Sequence, residues 1–280
     1  MIDLHSHTTA SDGQHTATEL IRKAKEAGIR TLAVTDHDTV AALHEAAQAA
    51  REAGVELVCG IELSAFVNGR ETHILGHFLD PQDPALRGLS TLLRSEREKR
   101  MHKMVARVTE LGMRCEFDEV VRVSGGENLG RPHLAQVMVA HGYAKDVRDA
   151  FERHIGAGKP GYVQRYKLTS AEAIALIGKA GGTATVAHLA VSKLTRADLD
   201  VLKEQGLAGL EVAHPDHPEK TRAEVLALAK ELDLVPTAGS DFHGEAIVPG
   251  RRLGMVGMAA DDLERLRARA GRRNEGEAHG

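Results

Sequence analysis

The chain has 280 residues, 42% of them apolar, enough to bury a full core as one barrel-sized domain or two smaller ones. It has no Trp and only 3% aromatics, so Leu, Val, Ile and Ala must fill the interior. A net charge of −4 excludes a chain built throughout to bind polyanions, and no apolar run or leader-like N-terminus predicts a membrane span or signal peptide.

Ile2–Leu4 predicts a short strand. Thr16 with Glu19 forms a capping box and opens a helix that Gly28 stops. The β-branched run RTLAVT (30–35) predicts a second strand, and the Ala-rich stretch from Thr39 to Ala53, ended by Gly54, a second helix. Further strands are predicted over VELVCGIEL (55–63) and THILGHFL (72–79). The alternation then breaks. Residues 81–166 hold long charged helical runs and Gly-rich turns, and predict a helical insertion or lid. From Ser170 the rhythm resumes, with helices over 170–180, 196–205 and 218–232 and strands over 183–187, 209–213 and 234–238. Residues 269–280 predict a disordered tail. Strands separated by helices imply a parallel sheet, so residues 1–80 and 167–268 are expected to form one discontinuous α/β domain, an open sheet or a barrel. Cys59 and Cys115 lie far apart in apolar surroundings and predict buried, reduced thiols, as in a cytoplasmic protein.

The 16 histidines decide between sheet and barrel. His5 and His7 follow the first strand, Asp36, His37 and Asp38 the second, and Glu62 closes the third. His188, His214, and the pair Asp241 and His243 follow three later strands. Such residues converge at the C-terminal mouth of a β/α barrel, whereas an open sheet scatters them along a crevice. An HxH on an extended segment points both imidazoles to one side. Histidine nitrogen and carboxylate oxygen without cysteine suit Zn, Mn or Fe. The donors are too many for one ion, and clustered ions clamp phosphoryl groups and supply hydroxide.

The stretches HSHTTASDG (5–13), AVTDHD (33–38), GIELS (60–64), HILG (73–76), AH (187–188) and GSDFHG (239–244), in that order, resemble the PHP (polymerase and histidinol phosphatase) family of metal-dependent phosphoesterases. The insertion, with GRPH (130–133) and GKPGYV (158–163), is similar to one branch, the bacterial RNase AM enzymes. These hydrolyse 3′,5′-nucleotide bisphosphates and trim short 5′-phosphorylated RNA. The resemblance implies a distorted seven-stranded β/α (TIM-like) barrel with up to three divalent ions, manganese most commonly, iron or zinc otherwise. It implies that His5, His7, Glu62 and Asp241 hold the first ion and that Glu62 bridges to a second held by His73 and His188. Asp12, His37 and His243 would hold the third. His73 competes with His77 on one strand, and the resemblance picks His73. After His188 the chain reads HLAV where many relatives have proline, which alters the loop and leaves the ligand in place.

Asp36 and Asp38 flank His37 and are expected to orient its imidazole, since a ligating histidine usually donates its other N–H to a carboxylate. Arg131 and His133, at a helix start after Gly130, are expected to meet substrate phosphate, with Lys159 as a further candidate. His214 is a candidate for substrate binding or proton transfer. The expected reaction is attack by a metal-bound hydroxide held at Glu62, removing the 3′-phosphate of a nucleoside 3′,5′-bisphosphate or a nucleotide from a short 5′-phosphorylated RNA. Partners are then a nucleotide or short RNA, with no long nucleic-acid track, no membrane, and a monomer as the simplest state. A histidinol-phosphate-type monophosphatase and a nonenzymatic polymerase-accessory module are the rival readings.

Overall fold

The computed structural model describes residues 1–124 and 129–271. They form two compact units, one of Met1–Ser90 with the chain from Lys167 onward, the other of Thr91–Tyr166. The boundary falls inside one continuous helix, Pro84–Glu110, later than the position 81 expected from composition. Most of the expected tail, 272–280, lies outside the described residues, while 269–271 end a helix, Ala260–Gly271, which the alternation did not predict.

The first unit contains strands β1 (Ile2–Asp3), β2 (Thr31–Val34), β3 (Glu56–Val67), β4 (Arg70–His77), β5 (Leu168–Thr169), β6 (Thr183–Val186), β7 (Gly209–Ala213) and β8 (Val235–Ala238). They run in the order β1-β2-β3-β4-β6-β7-β8, with β5 beside β3. Past β8 the chain returns to its start. Leu4 N–H donates to Ala238 O at 3.0 Å, Asp241 N–H to His5 O at 2.9 Å, and Ser6 pairs with Phe242 in parallel. Seven strands thus make a nearly closed, distorted barrel.

One strand departs from the expected parallel sheet. β4 runs antiparallel to both β3 and β6. Asn68 and Gly69 join it to β3 with φ of 47° and 78°, the left-handed pair that a two-residue hairpin requires. β3 therefore continues to Val67, and Glu62 sits inside the strand instead of closing it.

The core is aliphatic, as the missing Trp requires. Leu20, Ile21, Leu32, Val34 and Leu43 bury one cluster between β2 and the helices Ala17–Glu26 and Leu43–Ala53. Leu263 and Leu266 of the last helix pack with Ile2, Leu4, Ala33, Val58, Ala208 and Val235. The second unit has its own core, around Met104, Val108, Leu134 and Met138. Cys115 is buried and Cys59 half-buried, both free, and burial pushes the Cys115 thiol up to about 11.

Asp198 shows how the β3–β4 hairpin is tied down. Its carboxylate accepts from Thr195 N–H at 2.8 Å and Thr195 Oγ1 at 2.7 Å, closing a capping box on helix Arg196–Glu204. It also accepts from Asn68 Nδ2 at 2.8 Å and pairs with Arg70 at 3.4 Å. These donors, the Thr195 backbone first, hold its pKa at about 2. Asp198→Ala is expected to lower unfolding free energy by about 1–2 kcal/mol, measured by urea denaturation at pH 7. Because the folded-state pKa is depressed, this contribution is present above the unfolded value of roughly 4 and fades as pH falls toward 2. Wild type and variant should therefore converge in stability over that window.

Candidate metal centre

The segment His5–His7 is held on both sides. His7 N–H donates to Phe242 O at 3.0 Å, and Thr35 N–H donates to Ser6 O at 2.9 Å. Ser6 turns outward to donate to Ala33 O at 2.6 Å, so the flanking imidazoles share the opposite face, their ring centres 5.2 Å apart. Between β2 and β3 the pairing continues past the strand end, with His37 opposite Glu62. The antiparallel course of β4 places His73 on the same mouth from within a strand.

Glu62 is the hub. Its side chain is fully buried, and its Oε2 lies 3.2 Å from His5 Nε2, His7 Nε2 and His37 Nδ1. Oε1 lies 2.8 Å from His73 Nδ1 and 3.1 Å from His188 Nε2. Each oxygen of one carboxylate thus faces a different set of imidazoles. Asp241 completes the first set, with Oδ1 3.3 Å from both His5 Nε2 and His7 Nε2. On the other side of His7, Asp12 lies 3.3 Å from His243 Nε2 and 3.7 Å from both His7 Nδ1 and His37 Nε2.

Three groups of donors each lie within 4.8 Å of one another: His5, His7, Glu62 and Asp241; His7, Asp12, His37 and His243; and His37, Glu62 and His73. The structure therefore brings the nine expected ligands to one mouth and redistributes them. His7 is shared with the Asp12 group, and His37 with the Glu62–His73 group. His188 meets Glu62 but lies outside these compact groups.

The spacing fits divalent ions. Two donors about 2.1 Å from a common ion, at angles of 90–109°, stand roughly 3.0–3.4 Å apart. The donors around Glu62 and Asp241 fall at 2.8–3.3 Å. Neither ring nitrogen of His7 has a partner in hydrogen-bond geometry, although carboxylate oxygens stand close by. Lone pairs aimed between acceptors, not at donors, are what a cation requires. The chemistry agrees: nitrogen and oxygen without sulfur.

Electrostatics point the same way. Burial, the largest influence on His5, disfavours its charge, yet Glu211, Glu62 and Asp241 outweigh it and lift its pKa well above the usual imidazole range. For His7 burial again opposes, and Asp241 and Glu62 raise the pKa to about 9. Glu62 stays well below the carboxylate range because His5 and His37 overcome its desolvation. Asp12 is likewise drawn down to about 2, its burial outweighed by His243, His37 and His7. The site is a trap for positive charge, whether protons or metal ions.

The neighbouring residues have partners of their own. Asp36 does not orient the His37 ring: its carboxylate accepts from Thr8 N–H and Thr8 Oγ1 at 2.7 Å and from Ser11 Oγ at 2.6 Å, fixing the loop between His7 and Asp12. Asp38, at φ 55°, accepts from Ser64 N–H at 3.0 Å and so fixes β3. His214 stands beside Asp241. It is 1% exposed, its Nδ1 accepts from Asp216 N–H, and its Nε2 stands 3.4 Å from Asp241 Oδ2. His217 is buried and bonded to Val212 O. His77 lies inside the barrel with Nε2 2.9 Å from Leu4 O, and burial lowers its pKa to about 4.

Two residues escaped the sequence. Arg251, almost buried, donates to Asp241 Oδ2 at 2.7 Å and forks onto both oxygens of Asp216 at 2.7 Å. Glu211 in β7 is wholly buried against His5. A lone acid inside the apolar strand GLEVA was its only signal. Arg131, His133 and Lys159 belong to the second unit. There the Arg131 guanidinium lies over the rings of Phe151 and Tyr162, at 5.2 and 5.6 Å, and His133 Nδ1 accepts from Gly130 N–H at 3.2 Å. Lys159 is exposed.

Gly13 tests the loop. A Cβ there would stand 2.5 Å from His7 O and 2.8 Å from Thr8 N, backbone atoms that cannot step aside. Gly13→Ala is expected to displace Asp12 and lower the number of divalent ions bound per chain, read by elemental analysis after equilibrium dialysis. Gly88→Ala, whose Cβ meets nothing within 4 Å, should bind as wild type does.

Comparison with known proteins agrees with this geometry. The family model described as PHP domain matches residues 3–154, more than half of the chain. A 5′-3′ exoribonuclease of Haemophilus influenzae is 36% identical over 86% of this chain and 89% of its own. A 3′,5′-nucleoside bisphosphate phosphatase of Chromobacterium violaceum is 34% identical over 86% and 87%. Among solved structures, one from Bifidobacterium adolescentis, assigned as a metal-dependent phosphoesterase, superposes with a TM-score of 0.76 at 31% identity, covering 95% of each chain. The mouth of imidazoles and acids, the nearly closed barrel and these matches together establish that the chain belongs to the PHP-domain family, as an enzyme that hydrolyses phosphoric esters.

Proposed function

We propose that this enzyme removes the 3′-phosphate of nucleoside 3′,5′-bisphosphates, giving nucleoside 5′-monophosphates, and releases nucleotides from short 5′-phosphorylated RNA in the 5′-3′ direction. The observation that carries the reading is the split of Glu62: its two oxygens face separate sets of imidazoles, the arrangement that holds adjacent cations in register for a phosphoryl group. His5, His7, Glu62 and Asp241 would hold one ion, Glu62 with His73 and His188 a second, and Asp12, His37 and His243 a third. Manganese is the favoured ion, with iron or zinc as alternatives. Such ions, when bound, neutralise phosphoryl oxygens and acidify water toward neutral pH.

The protein's own part is positioning. Arg251 neutralises Asp241 Oδ2, leaving Oδ1 for the mouth. Asp36 fixes the loop that presents Asp12. Arg131 would grip the substrate 5′-phosphate, with His133 and Lys159 as further contacts. Its guanidinium is flanked by Phe151 and Tyr162, and it shares the second unit with Arg100 and Arg165. The names of the two bacterial relatives support this substrate class. No described helix is long and apolar enough to cross a membrane.

The test is a panel with Mn2+ present, comparing adenosine 3′,5′-bisphosphate, histidinol phosphate, short 5′-phosphorylated RNA and long RNA. The bisphosphate and short RNA should be the preferred substrates, and chelation should abolish turnover until Mn2+ is restored. Histidinol phosphate as the preferred substrate would overturn the reading. Arg131→Ala is expected to lower kcat/KM on the bisphosphate about 10- to 100-fold, the loss of a charge-assisted fork, while sparing a simple aryl phosphate.

A further inference from the structure

Glu211 is a carboxylate with no cationic side chain of Lys or Arg among its described contacts. It is 0% exposed, in the middle of β7. Its two oxygens do different work. Oε1 lies 3.0 Å from His5 Nδ1. Oε2 accepts the backbone N–H of His188 at 2.7 Å. His188 needs that acceptor, because its backbone sits at φ 27°, a conformation L-residues rarely adopt. Gly239 makes room for the arrangement: a Cβ there would stand 2.2 Å from His5 Cβ and 2.9 Å from Glu211 Oε1.

We infer that Glu211 is a positioning residue for divalent ions, setting the His5 tautomer and the His188 backbone through one carboxylate. A proton held on His5 Nδ1 by Glu211 leaves the Nε2 lone pair facing Glu62 and Asp241, 3.2 and 3.3 Å away. The hydrogen bond from the His188 backbone N–H to Glu211 Oε2 holds that residue where its Nε2 lies 3.1 Å from the other Glu62 oxygen. One side chain thereby serves donors on both sides of the Glu62 bridge, although it belongs to none of the compact donor groups. The inference rests on reading that cluster as a metal centre.

The test measures Mn2+ binding by electron paramagnetic resonance of the free ion, on the full chain. Glu211→Gln keeps the shape but turns one acceptor into a donor, so either His5 Nδ1–H or His188 N–H faces an N–H group. Its Mn2+ affinity should fall about 10- to 100-fold. Glu211→Asp, which keeps the charge, should recover part of that loss. Asp198→Ala, destabilising but remote in role, should bind Mn2+ as wild type does. Nitrogen-15 spectra of the histidines give a readout independent of bound ions: the hydrogen-bonded Nδ1–H of His5 should be present in wild type and altered in Glu211→Gln. Wild-type affinity in Glu211→Gln, or a loss in Asp198→Ala equal to that in Glu211→Gln, overturns the inference and leaves the metal-centre reading intact. Absence of Mn2+ binding by wild-type protein overturns both. Should Glu211→Gln fail to fold, Glu211→Asp against Asp198→Ala decides, and equal affinities overturn it.

Discussion

A carboxylate stripped of water must be paired, and Glu62 is stripped completely. It is surrounded not by Lys or Arg but by five imidazoles, His5, His7, His37, His73 and His188, at 2.8–3.2 Å. Imidazoles can neutralise it by taking up protons or by sharing cations with it. The first option crowds protonated rings against one another, with His7 and His243 stacked at 4.0 Å between centres. Divalent ions relieve that crowding, because they concentrate the compensating charge at points between the donors. The fold around Glu62 follows from bringing those rings to it.

The barrel solves this by borrowing from several strands. Segments beyond β1, β2, β6 and β8 arrive in parallel and deliver His5, His7, His37, His188 and Asp241 at their ends. β4 arrives the other way, so His73 reaches the mouth from the body of a strand paired with Ser64 of β3. Asp241, at φ 50°, is aimed by a left-handed backbone and divided in use: Oδ1 toward His5 and His7, Oδ2 toward Arg251. An outer ring of Asp36, Glu211 and Arg251 holds the inner donors without joining them.

Much of the site was legible because its donors are sparse, polar and placed at strand ends. HSH after IDL, TDHD after LAVT and GSDFH after LVPTA are residue types that a buried strand end does not otherwise favour. The capping box of Thr16 and Glu19 formed as its spacing predicts. The hairpin has a local signal too, in Asn68-Gly69, which outweighs the strand–helix alternation and turns β4 antiparallel to β3. Helix Ala260–Gly271 carries no clear sequence signal because its charged character resembles a solvated tail, while Leu263, Leu266 and Ala270 supply its buried face.

Local pattern determined the barrel class, the donor types and their order along the chain, since periodicity and residue chemistry are properties of neighbouring positions. It could not determine which donors share a centre. His7 and His37 each face two groups, and His214 turns behind Asp241, only because strands distant in sequence fix the angles between side chains. The same holds for Asp36, whose partners Thr8 and Ser11 lie on another loop, and for Glu211 and Arg251, whose burial is created by the closed barrel. Composition names the donors; closure of the sheet decides what each of them faces.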